Sequence, residues 1–215
     1  MYTVVWGGGR LGEATAKYLC EQGEEFYLKT RNGGLPKSAD VVIDFSVPEA
    51  TDEVLNFCLK NSIPLVSAVT GHSRSQKQKI ALASQSIPIV YDSNFSYGIN
   101  AVKNILAYAK KILADWECGI IEYHRKGKTD APSGTALVLS DIVKTDNVTS
   151  IRIGEEAGTH ETVFWGKGEK IIITHVAQNI EPFIVGAVKA SRQITKLSPS
   201  LYTVKDLINL DENIN

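Results

Sequence analysis

A short strand that runs directly into a glycine-rich turn and then a helix opens the chain, and it restricts the fold more than any other segment. Residues 2–6 are apolar and have the length of a buried strand. The next apolar side chains recur with helical spacing, at Leu11, Ala14, Tyr18 and Leu19. Between the two, Gly7, Gly9 and Gly12 fit the pattern G-x-G-x-x-G, which allows a tight turn and lets a pyrophosphate approach a helix start. This segment therefore favours a dinucleotide site, and a plain tight turn is the alternative.

Strands and helices continue to alternate through the first half of the chain. Further strands are predicted at residues 26–29, 41–43, 65–66 and 87–91, and helices at about 48–59 and 75–83. The connection at residues 32–38 is too short for a full crossover helix. This order predicts a doubly wound parallel sheet, in which ligands bind beyond the carboxyl ends of the strands. The loops expected to meet there are residues 7–12, 44–46 and 68–71.

The end of the second predicted strand bears on which dinucleotide could bind. A Rossmann fold that uses NAD normally has an acidic residue there for the ribose hydroxyls, and this chain has Lys29, Thr30 and Arg31 instead. Cations at this position favour a 2′-phosphate, and therefore NADPH, with NADH still possible. The alternative is that Lys29 and Arg31 only solubilise a strand end.

The second half of the chain has a different pattern. A long amphipathic helix starts at Gly98, and its apolar stripe consists of Val102, Ile105, Leu106, Ala109 and Leu113. Three strands at residues 150–153, 161–165 and 170–176 with few long connections predict an antiparallel or mixed open sheet, followed by a helix over 182–195. Apolar residues on both faces of the last strand imply cover from another subunit, so we expect a homo-oligomer.

These patterns together predict an α/β fold class. We expect a Rossmann-like doubly wound parallel sheet with a second α+β domain built on an open mixed sheet. The dinucleotide-binding domain would comprise residues 1–95, completed by about 196–215. Residues 96–195 would form the substrate-binding and oligomerisation domain.

A polar loop at residues 124–130 brings together the groups best suited to chemistry. His124 titrates near neutral pH, which suits it to proton transfer. The cations Arg125, Lys126 and Lys128 follow it and could hold a carboxylate. The alternative is a solvated basic loop.

A helix start follows this loop. Pro132 fixes a backbone angle suited to a first helical turn, and Ser133, Gly134 and Thr135 would present unpaired backbone N–H groups. Such a start attracts anions. The alternative is an ordinary capped helix.

The loop and helix start resemble a family signature. The string E-Y-H-R-K-G-K-T-D-A-P-S-G-T-A is similar to E-x-H-H-x-x-K-x-D-A-P-S-G-T-A of the dihydrodipicolinate reductases. A second string, N-F-S-Y-G-I-N from Asn94, resembles the segment N-F-S-x-G-V-N that links the two domains of that family. The resemblance implies that His124 transfers a proton and that Lys128 is catalytic. The substrate-binding residues it implies are Arg125, Ser133, Gly134, Thr135 and Thr70.

The resemblance also implies a set of cofactor contacts. They lie in the three strand-end loops and near residue 95, at Gly7, Gly9, Arg10, Leu11, Gly12, Thr30, Arg31, Phe45, Ser46, Ala68, Val69, Thr70, Ser93 and Phe95. For Phe95, burial as a loop aromatic is the alternative to packing on a nicotinamide. His160 and His175 fall where the family has a histidine in each strand, and a structural role is the default for both.

Some positions depart from the family pattern, among them Ala68 and Val69 in the loop that is G-T-T-G in the family. Arg125 replaces the second histidine of the signature, and an arginine can bind a carboxylate but cannot exchange protons. Val69 replaces a threonine of the family's G-T-T-G loop, and Ile180 replaces an arginine before the last long helix. These changes bear on the substrate.

Charge and cysteine usage exclude several classes of function. The net charge of −1, with no long basic run, argues against nucleic-acid or membrane-surface partners. Cys20, Cys58 and Cys118 form no C-x-x-C pair, so neither a disulfide framework nor a metal site is indicated. With no signal-like segment at Met1 and no apolar run that could span a bilayer, we expect a cytoplasmic protein.

The resemblance implies NAD(P)H-dependent reduction of 4-hydroxy-tetrahydrodipicolinate to tetrahydrodipicolinate, in the diaminopimelate route to lysine, by a homotetramer. One alternative is a divergent reductase of the same fold that acts on another small carboxylated imine or carbonyl. Another is a dinucleotide-binding sensor without turnover. His124 and Lys128 argue against the sensor, because binding alone requires no proton donor.

Overall fold

The computed structural model describes residues 1–212, which fall into two compact units. The first unit comprises residues 1–95 and the chain from Phe183 onward, and the second comprises Ser96–Pro182. Residues 183–195 were expected in the second domain, but their contacts place them in the first unit. The expected completion of the first domain by residues 196–215 includes 213–215, which lie outside the described residues.

The strands and helices have the following bounds. The strands are β1 (Thr3–Trp6), β2 (Phe26–Lys29), β3 (Val41–Asp44), β4 (Leu65–Ser67), β5 (Ile89–Tyr91), β6 (Glu117–His124), β7 (Val148–Arg152), β8 (Gly158–Gly166), β9 (Glu169–Ala177) and β10 (Leu201–Tyr202). The helices are α1 (Arg10–Glu21), α2 (Thr51–Asn61), α3 (Arg74–Ala83), α4 (Tyr97–Ile112), α5 (Gly134–Val143), α6 (Glu181–Ile194) and α7 (Val204–Glu212).

The first unit is built on a six-stranded parallel sheet with the order β10-β5-β4-β3-β1-β2. Strands β1, β3 and β4 are buried along their whole length, as expected when helices cover both faces of a parallel sheet. The connection between β2 and β3 contains no helix, in agreement with its short sequence. The Rossmann-like prediction is confirmed.

The strand order places a switch point between β1 and β3. The chain leaves β1 to form β2 on one side, and then crosses to form β3 on the other. Loops at the carboxyl ends of two such strands diverge and leave a crevice, which is where ligands bind in open α/β sheets. The glycine turn after β1 and the segment after β3 border this crevice.

The second unit is built on a mixed four-stranded sheet with the order β7-β6-β8-β9. Strand β6 runs parallel to β7 and antiparallel to β8, and β9 is antiparallel to β8, so the mixed open sheet is confirmed. Helices α4 and α5 cover one face through a core that includes Leu106, Leu139 and Phe164. Within the predicted stripe of α4, Ile105 was placed wrongly, since it is 51% exposed.

No helix within residues 1–212 is both long enough and apolar enough to cross a membrane.

Candidate active site

A cleft of about 700 Å³ lies at the switch point of the first unit. Its volume is within the range of small-molecule sites. Three segments form it: the glycine turn, the end of β2 and the segment after β3. The lining residues are Trp6, Gly7, Gly8, Gly9, Lys29, Thr30, Arg31, Asn32, Phe45, Ser46, Val47, Glu49, Ala50 and Glu53.

The three glycines of the turn are required for different reasons. Gly7 has φ +113°, and a Cβ there would lie 2.8 Å from the carbonyl of Phe45. A Cβ on Gly12 would lie 1.8 Å from the carbonyl oxygen of Gly7, so the helix can pack on the turn only with glycine at that position. Gly9 differs, because a Cβ there would meet nothing within 4 Å. Packing does not explain Gly9, whereas a ligand that approaches the start of α1 would.

The cations at the end of β2 are not equivalent. The Lys29 side chain is buried, donates to the Thr30 carbonyl at 3.0 Å and lies 3.7 Å from Glu53. Its ammonium also lies 5.5 Å from the centre of the Trp6 ring. Thr30 and Arg31 are exposed on the cleft. Lys29 therefore has an internal role, and Arg31 is the cation exposed at the cleft wall.

The loop after β3 is held by the buried carboxylate of Asp44. Its Oδ1 accepts from the backbone N–H and the hydroxyl of Ser46, at 2.9 and 2.5 Å, and Ser67 lies 3.4 Å from Oδ2. Burial raises the pKa of Asp44 to about 6, because the hydrogen bonds from Ser46 and Ser67 only partly compensate for lost hydration. Asp44 thus fixes Ser46 at the cleft wall.

A buried histidine links two of the strand-end loops. His72 lies 3.0 Å from the Tyr91 hydroxyl through Nδ1 and 3.0 Å from the Thr51 hydroxyl through Nε2. Thr51 donates its own proton to the Pro48 carbonyl, so His72 donates from Nε2 and Nδ1 accepts from Tyr91. Burial lowers the pKa of His72, which favours the neutral ring that this arrangement needs.

Several predicted cofactor residues lie outside this cleft. Arg10, Leu11 and Gly12 belong to the first turn of α1, directly after the lining glycines. The loop of Ala68, Val69 and Thr70 follows β4, with Val69 buried and Thr70 exposed. Ser93 is exposed beyond β5, and Phe95 is 1% exposed, so its ring belongs to the core rather than to the cleft.

In the second unit, strand register places polar side chains on one face at the carboxyl end of β6. Glu122 and His124 point to the same face, because alternate residues of a strand do so. Arg152 on β7 pairs with His124, and His160 on β8 pairs with Glu122. Glu122, His124 and His160 are buried on this face, and Arg152 is partly exposed at its edge.

These side chains are directly hydrogen-bonded. His124 contacts Glu122 Oε2 through Nδ1, and Arg152 Nη2 donates to Glu122 Oε1 at 2.7 Å. Burial lowers the pKa of His124, and the negative charge of Glu122 opposes that shift only in part. Burial alone would raise the pKa of Glu122, but the hydrogen bond from the Arg152 guanidinium holds it below its ordinary value. The result is a neutral histidine beside an ionised carboxylate.

The loop after β6 carries the predicted cations. Lys128 donates to Asp130 at 2.9 Å, and this bond lowers the pKa of Asp130. Arg125 is partly exposed, and its backbone N–H donates to the Glu156 carbonyl at 2.8 Å. Both cations therefore stay in reach of solvent and of an anionic ligand.

The predicted helix start after this loop is present as α5. Ser133 is its N-cap: the hydroxyl accepts from the Ala136 N–H at 3.2 Å and lies 3.2 Å from His160 Nε2. Gly134 and Thr135 form the first turn, whereas Pro132 precedes the cap instead of beginning the helix as expected. Burial lowers the pKa of His160 to about 4, so it stays neutral.

Glu122, His124 and His160 are the group in the described chain whose donor atoms could converge on a metal, within 4.8 Å of one another. Both carboxylate oxygens of Glu122 already accept hydrogen bonds, and the Arg152 guanidinium supplies positive charge beside them. We therefore interpret the group as an acid–base cluster.

The second unit thus brings His124, Lys128, Arg125 and the start of α5 into one region, whereas Thr70 belongs to the first unit. Sequence reasoning assigned no site role to Glu122 or Arg152, and it gave His160 only a structural role by default. Glu122 could have been found from its position two residues before His124 on a strand. Arg152 could not, because only the pairing of β6 with β7 places it there.

The fold and these two regions define a Rossmann-type nucleotide-binding protein with a second α+β unit that carries an acid–base and anion-binding cluster. A family model for the dihydrodipicolinate reductase N-terminus matches residues 22–95, and one for the C-terminus matches 98–208. This chain belongs to the dihydrodipicolinate reductase family, as its signature loop predicted.

Relatives support the same assignment. The 4-hydroxy-tetrahydrodipicolinate reductase of Stenotrophomonas maltophilia strain R551-3 is 39% identical over 201 residues, which cover 92% of this chain and 83% of that protein. That of Xylella fastidiosa strain M12 is 36% identical over 202 residues, with 92% and 84% covered.

Solved structures share the fold. Dipicolinate-bound dihydrodipicolinate reductase from Paenisporosarcina sp. TG-14 superposes with a TM-score of 0.77 at 19% identity, covering 96% of this chain and 99% of that one. The DAP dehydrogenase of C. glutamicum gives a TM-score of 0.59 at 13% identity, with 100% and 98% covered.

Proposed function

We propose that this chain is a 4-hydroxy-tetrahydrodipicolinate reductase, which forms tetrahydrodipicolinate in the diaminopimelate route to lysine. Its family membership and the names of its relatives support this function. The observation that carries it is the cluster at the end of β6, where a neutral histidine, held by an ionised carboxylate, lies beside a cationic loop and a helix start.

The reduction requires a hydride and a proton. A nicotinamide dinucleotide supplies the hydride when bound, and the glycine turn and the start of α1 would hold its pyrophosphate. His124 in its protonated form donates the proton. Lys128, Arg125 and the first turn of α5 would bind substrate carboxylates.

We propose NADPH as the preferred cofactor, with NADH also accepted. No acidic residue ends β2, and the exposed Arg31 beside Thr30 suits a 2′-phosphate. Glu53 is a carboxylate at the same cleft, but the internal Lys29 offsets its charge. Glu49 also lines the cleft, so the attraction for an additional phosphate depends on the local charge of Arg31 at the β2 wall and not on the net charge of the cleft.

The setting of the enzyme follows from the same proposal. We place it in the reducing cytoplasm, in keeping with its free cysteines, and as a homotetramer. The substrate is a small dicarboxylate.

The deciding experiment follows NADPH oxidation with the condensation product of pyruvate and aspartate semialdehyde. The wild-type chain should turn over, and His124→Gln should lower kcat by about 10²-fold or more with little change in NADPH affinity, because a general acid is lost. Full activity of His124→Gln would mean that the proton comes from another group. No oxidation by the wild-type chain would contradict the proposed function.

The same assay with both cofactors tests the role of Arg31. Arg31→Ala should raise the KM for NADPH more than that for NADH, since only NADPH carries the 2′-phosphate. Equal losses for the two cofactors would show that Arg31 does not contact that group.

Arg125 and Ile180 keep a divergent reductase open as a second candidate. Arg125 keeps a positive charge but removes a histidine, and Ile180 removes a cation that the family carries. Oxidation of NADPH with a different cyclic imine carboxylate, and not with the dipicolinate-route substrate, would favour this candidate.

A further inference from the structure

We propose that Glu122 and Arg152 are positioning residues for the reduction, an inference that rests on the proposed function. Through one carboxylate and one backbone carbonyl, the Arg152 guanidinium sets both the orientation of His124 and the placement of the loop that carries Lys128.

The first contact of Arg152 fixes the proton donor. Its Nη2 donates to Glu122 Oε1 at 2.7 Å, and the other carboxylate oxygen of Glu122 is hydrogen-bonded to His124 Nδ1. An ionised carboxylate only accepts hydrogen bonds, so His124 must carry a proton on Nδ1. The atom of His124 left for proton exchange with a ligand is therefore Nε2.

The surroundings of Nε2 agree with this assignment. Residue 158 is a glycine, and a Cβ there would lie 3.0 Å from His124 Nε2. A side chain at this position would obstruct the ring atom that the hydrogen bond to Glu122 leaves available.

The second contact of Arg152 reaches the signature loop. The same Nη2 donates to the backbone carbonyl of Asp130 at 2.6 Å, while Nη1 donates to the Ile151 carbonyl at 3.0 Å. Asp130 in turn pairs with Lys128 through its carboxylate. One guanidinium thus connects the proton donor to the cation assigned to the substrate carboxylate.

Four titratable or charged groups surround His124. Glu122 lies on β6, Arg152 on β7, His160 on β8 and Lys128 in the loop. Two of these groups are cations that oppose protonation of His124, and Glu122 is the anion that favours it. Removal of the Glu122 charge should therefore make His124 harder to protonate.

Glu122→Gln tests the first contact with little change in shape. Arg152 offers only donors, so the amide oxygen of the glutamine should turn to Arg152 and its NH₂ group to His124. Nδ1 would then become an acceptor, and the proton would move to Nε2. We expect nitrogen NMR of the histidines to show Nδ1–H in the neutral wild type and Nε2–H in the variant.

The kcat of Glu122→Gln should fall because the changed tautomer of His124 no longer leaves Nε2 available for proton exchange. We expect kcat to fall by about 10²-fold, with the pH at which activity declines moved to lower values and NADPH affinity unchanged. Glu117→Gln is the matched control, because it places the same substitution on the exposed beginning of the same strand. This control variant should have the same His124 tautomer and the same kcat as the wild type.

Arg152→Lys tests the second contact. A lysine keeps the positive charge, so Glu122 stays ionised and His124 keeps its tautomer, but it cannot hold two carbonyls and a carboxylate with one planar fork. We expect the substrate KM to rise by about tenfold with a smaller change in kcat. This split distinguishes positioning of the loop from general loss of structure, which would affect both parameters and NADPH binding.

Three results would overturn the proposal: an Nε2–H tautomer in the wild type, an unchanged tautomer in Glu122→Gln, or an unchanged substrate KM in Arg152→Lys. If Glu122→Gln fails to fold, the wild-type spectrum and Arg152→Lys still decide. If the wild type does not oxidise NADPH with the substrate, the proposed function fails, while the NMR result for Glu122 stands independently.

Discussion

Two carboxylates with little or no exposure, Asp44 and Glu122, show how the neighbours of a buried residue decide its charge. Asp44 has only hydroxyl and amide donors, and burial raises its pKa to about 6. Glu122 is fully buried, yet the hydrogen bond from the charged Arg152 holds its pKa below the ordinary value. A charged partner can offset lost hydration, and neutral donors do so only in part.

Asp44→Asn should therefore stabilise the protein at neutral pH. The folded-state pKa of Asp44 lies above its ordinary value of 3.8, so the folded chain binds this proton more tightly than the unfolded chain does. Its ionisation costs stability as pH rises from about 3.8 to about 6, and the loss persists above that range. Asparagine avoids this cost, because its oxygen can accept from Ser46 and its NH₂ group can donate to Ser67.

Thermal unfolding between pH 4 and pH 7 measures the effect. The midpoint of Asp44→Asn should rise relative to wild type as pH increases, whereas the exposed Asp115→Asn should follow the wild type throughout. A constant difference between Asp44→Asn and wild type would mean that Asp44 does not titrate in this range.

Individual site residues were predictable to the extent that they lie close together in sequence. His124, Lys128 and Ser133 share one segment with a recognisable signature, and the structure places them in one unit. The link of Arg152 to Glu122 depends on parallel pairing between β6 and β7, strands separated by a helix. Sequence spacing carries no information on such a register, so this contact required the structure.

At the scale of elements, the join between β1 and α1 is limited by backbone packing as well as by ligand binding. Gly12 lies in the first turn of α1, directly against the carbonyl of Gly7, while Gly9 caps the helix and borders open space. The same motif therefore contains a glycine needed for folding and one whose small size only a ligand would use.

Gly12→Ala should destabilise the first unit by about 3 kcal/mol or more, because a Cβ at 1.8 Å from the Gly7 oxygen forces the turn and helix apart. Gly9→Ala is the matched control: its φ of −86° suits alanine, and the weaker cap should cost less than about 1 kcal/mol. Chemical denaturation measures both losses. NADPH binding should weaken in Gly9→Ala despite its stability, and unchanged binding would place the pyrophosphate elsewhere.

The hydrophobic periodicity predicted the types of most helices and strands, and the differences between prediction and structure have local causes. The helix predicted from Pro48 begins as a 3₁₀ turn at Pro48–Ala50 before α2, because Thr51 bonds back to the Pro48 carbonyl. Strand β10 has two residues, too few for a periodic signal. The exposure of Ile105 on α4 could not be anticipated, since an apolar residue beside a helical stripe fits the pattern whether or not its neighbours cover it.

At the scale of the whole molecule, one face of the sheet in the second unit has exposed apolar side chains that residues 1–212 do not cover. Alternation along β8 and β9 directs Trp165, Ile172 and Val176 away from the helix-covered face, and they are 58%, 48% and 55% exposed. Large apolar side chains grouped on an open sheet mark an interaction surface in a stable protein. Strand β9 is also an edge strand, with unpaired backbone groups on its outer side.

A second copy of this chain is the partner that we propose for this face, and Ile172→Lys should disrupt the assembly. A lysine at this position would place a charge in an interface formed by apolar side chains, which costs more than the contact contributes. Light scattering at micromolar concentration should give the mass of four chains for the wild type and a smaller mass for Ile172→Lys. Leu82→Lys is the control, since Leu82 is 66% exposed on α3 of the first unit and should leave the mass unchanged. A monomer mass for the wild type would contradict the proposed tetramer, and an unchanged mass for Ile172→Lys would place the interface on another surface.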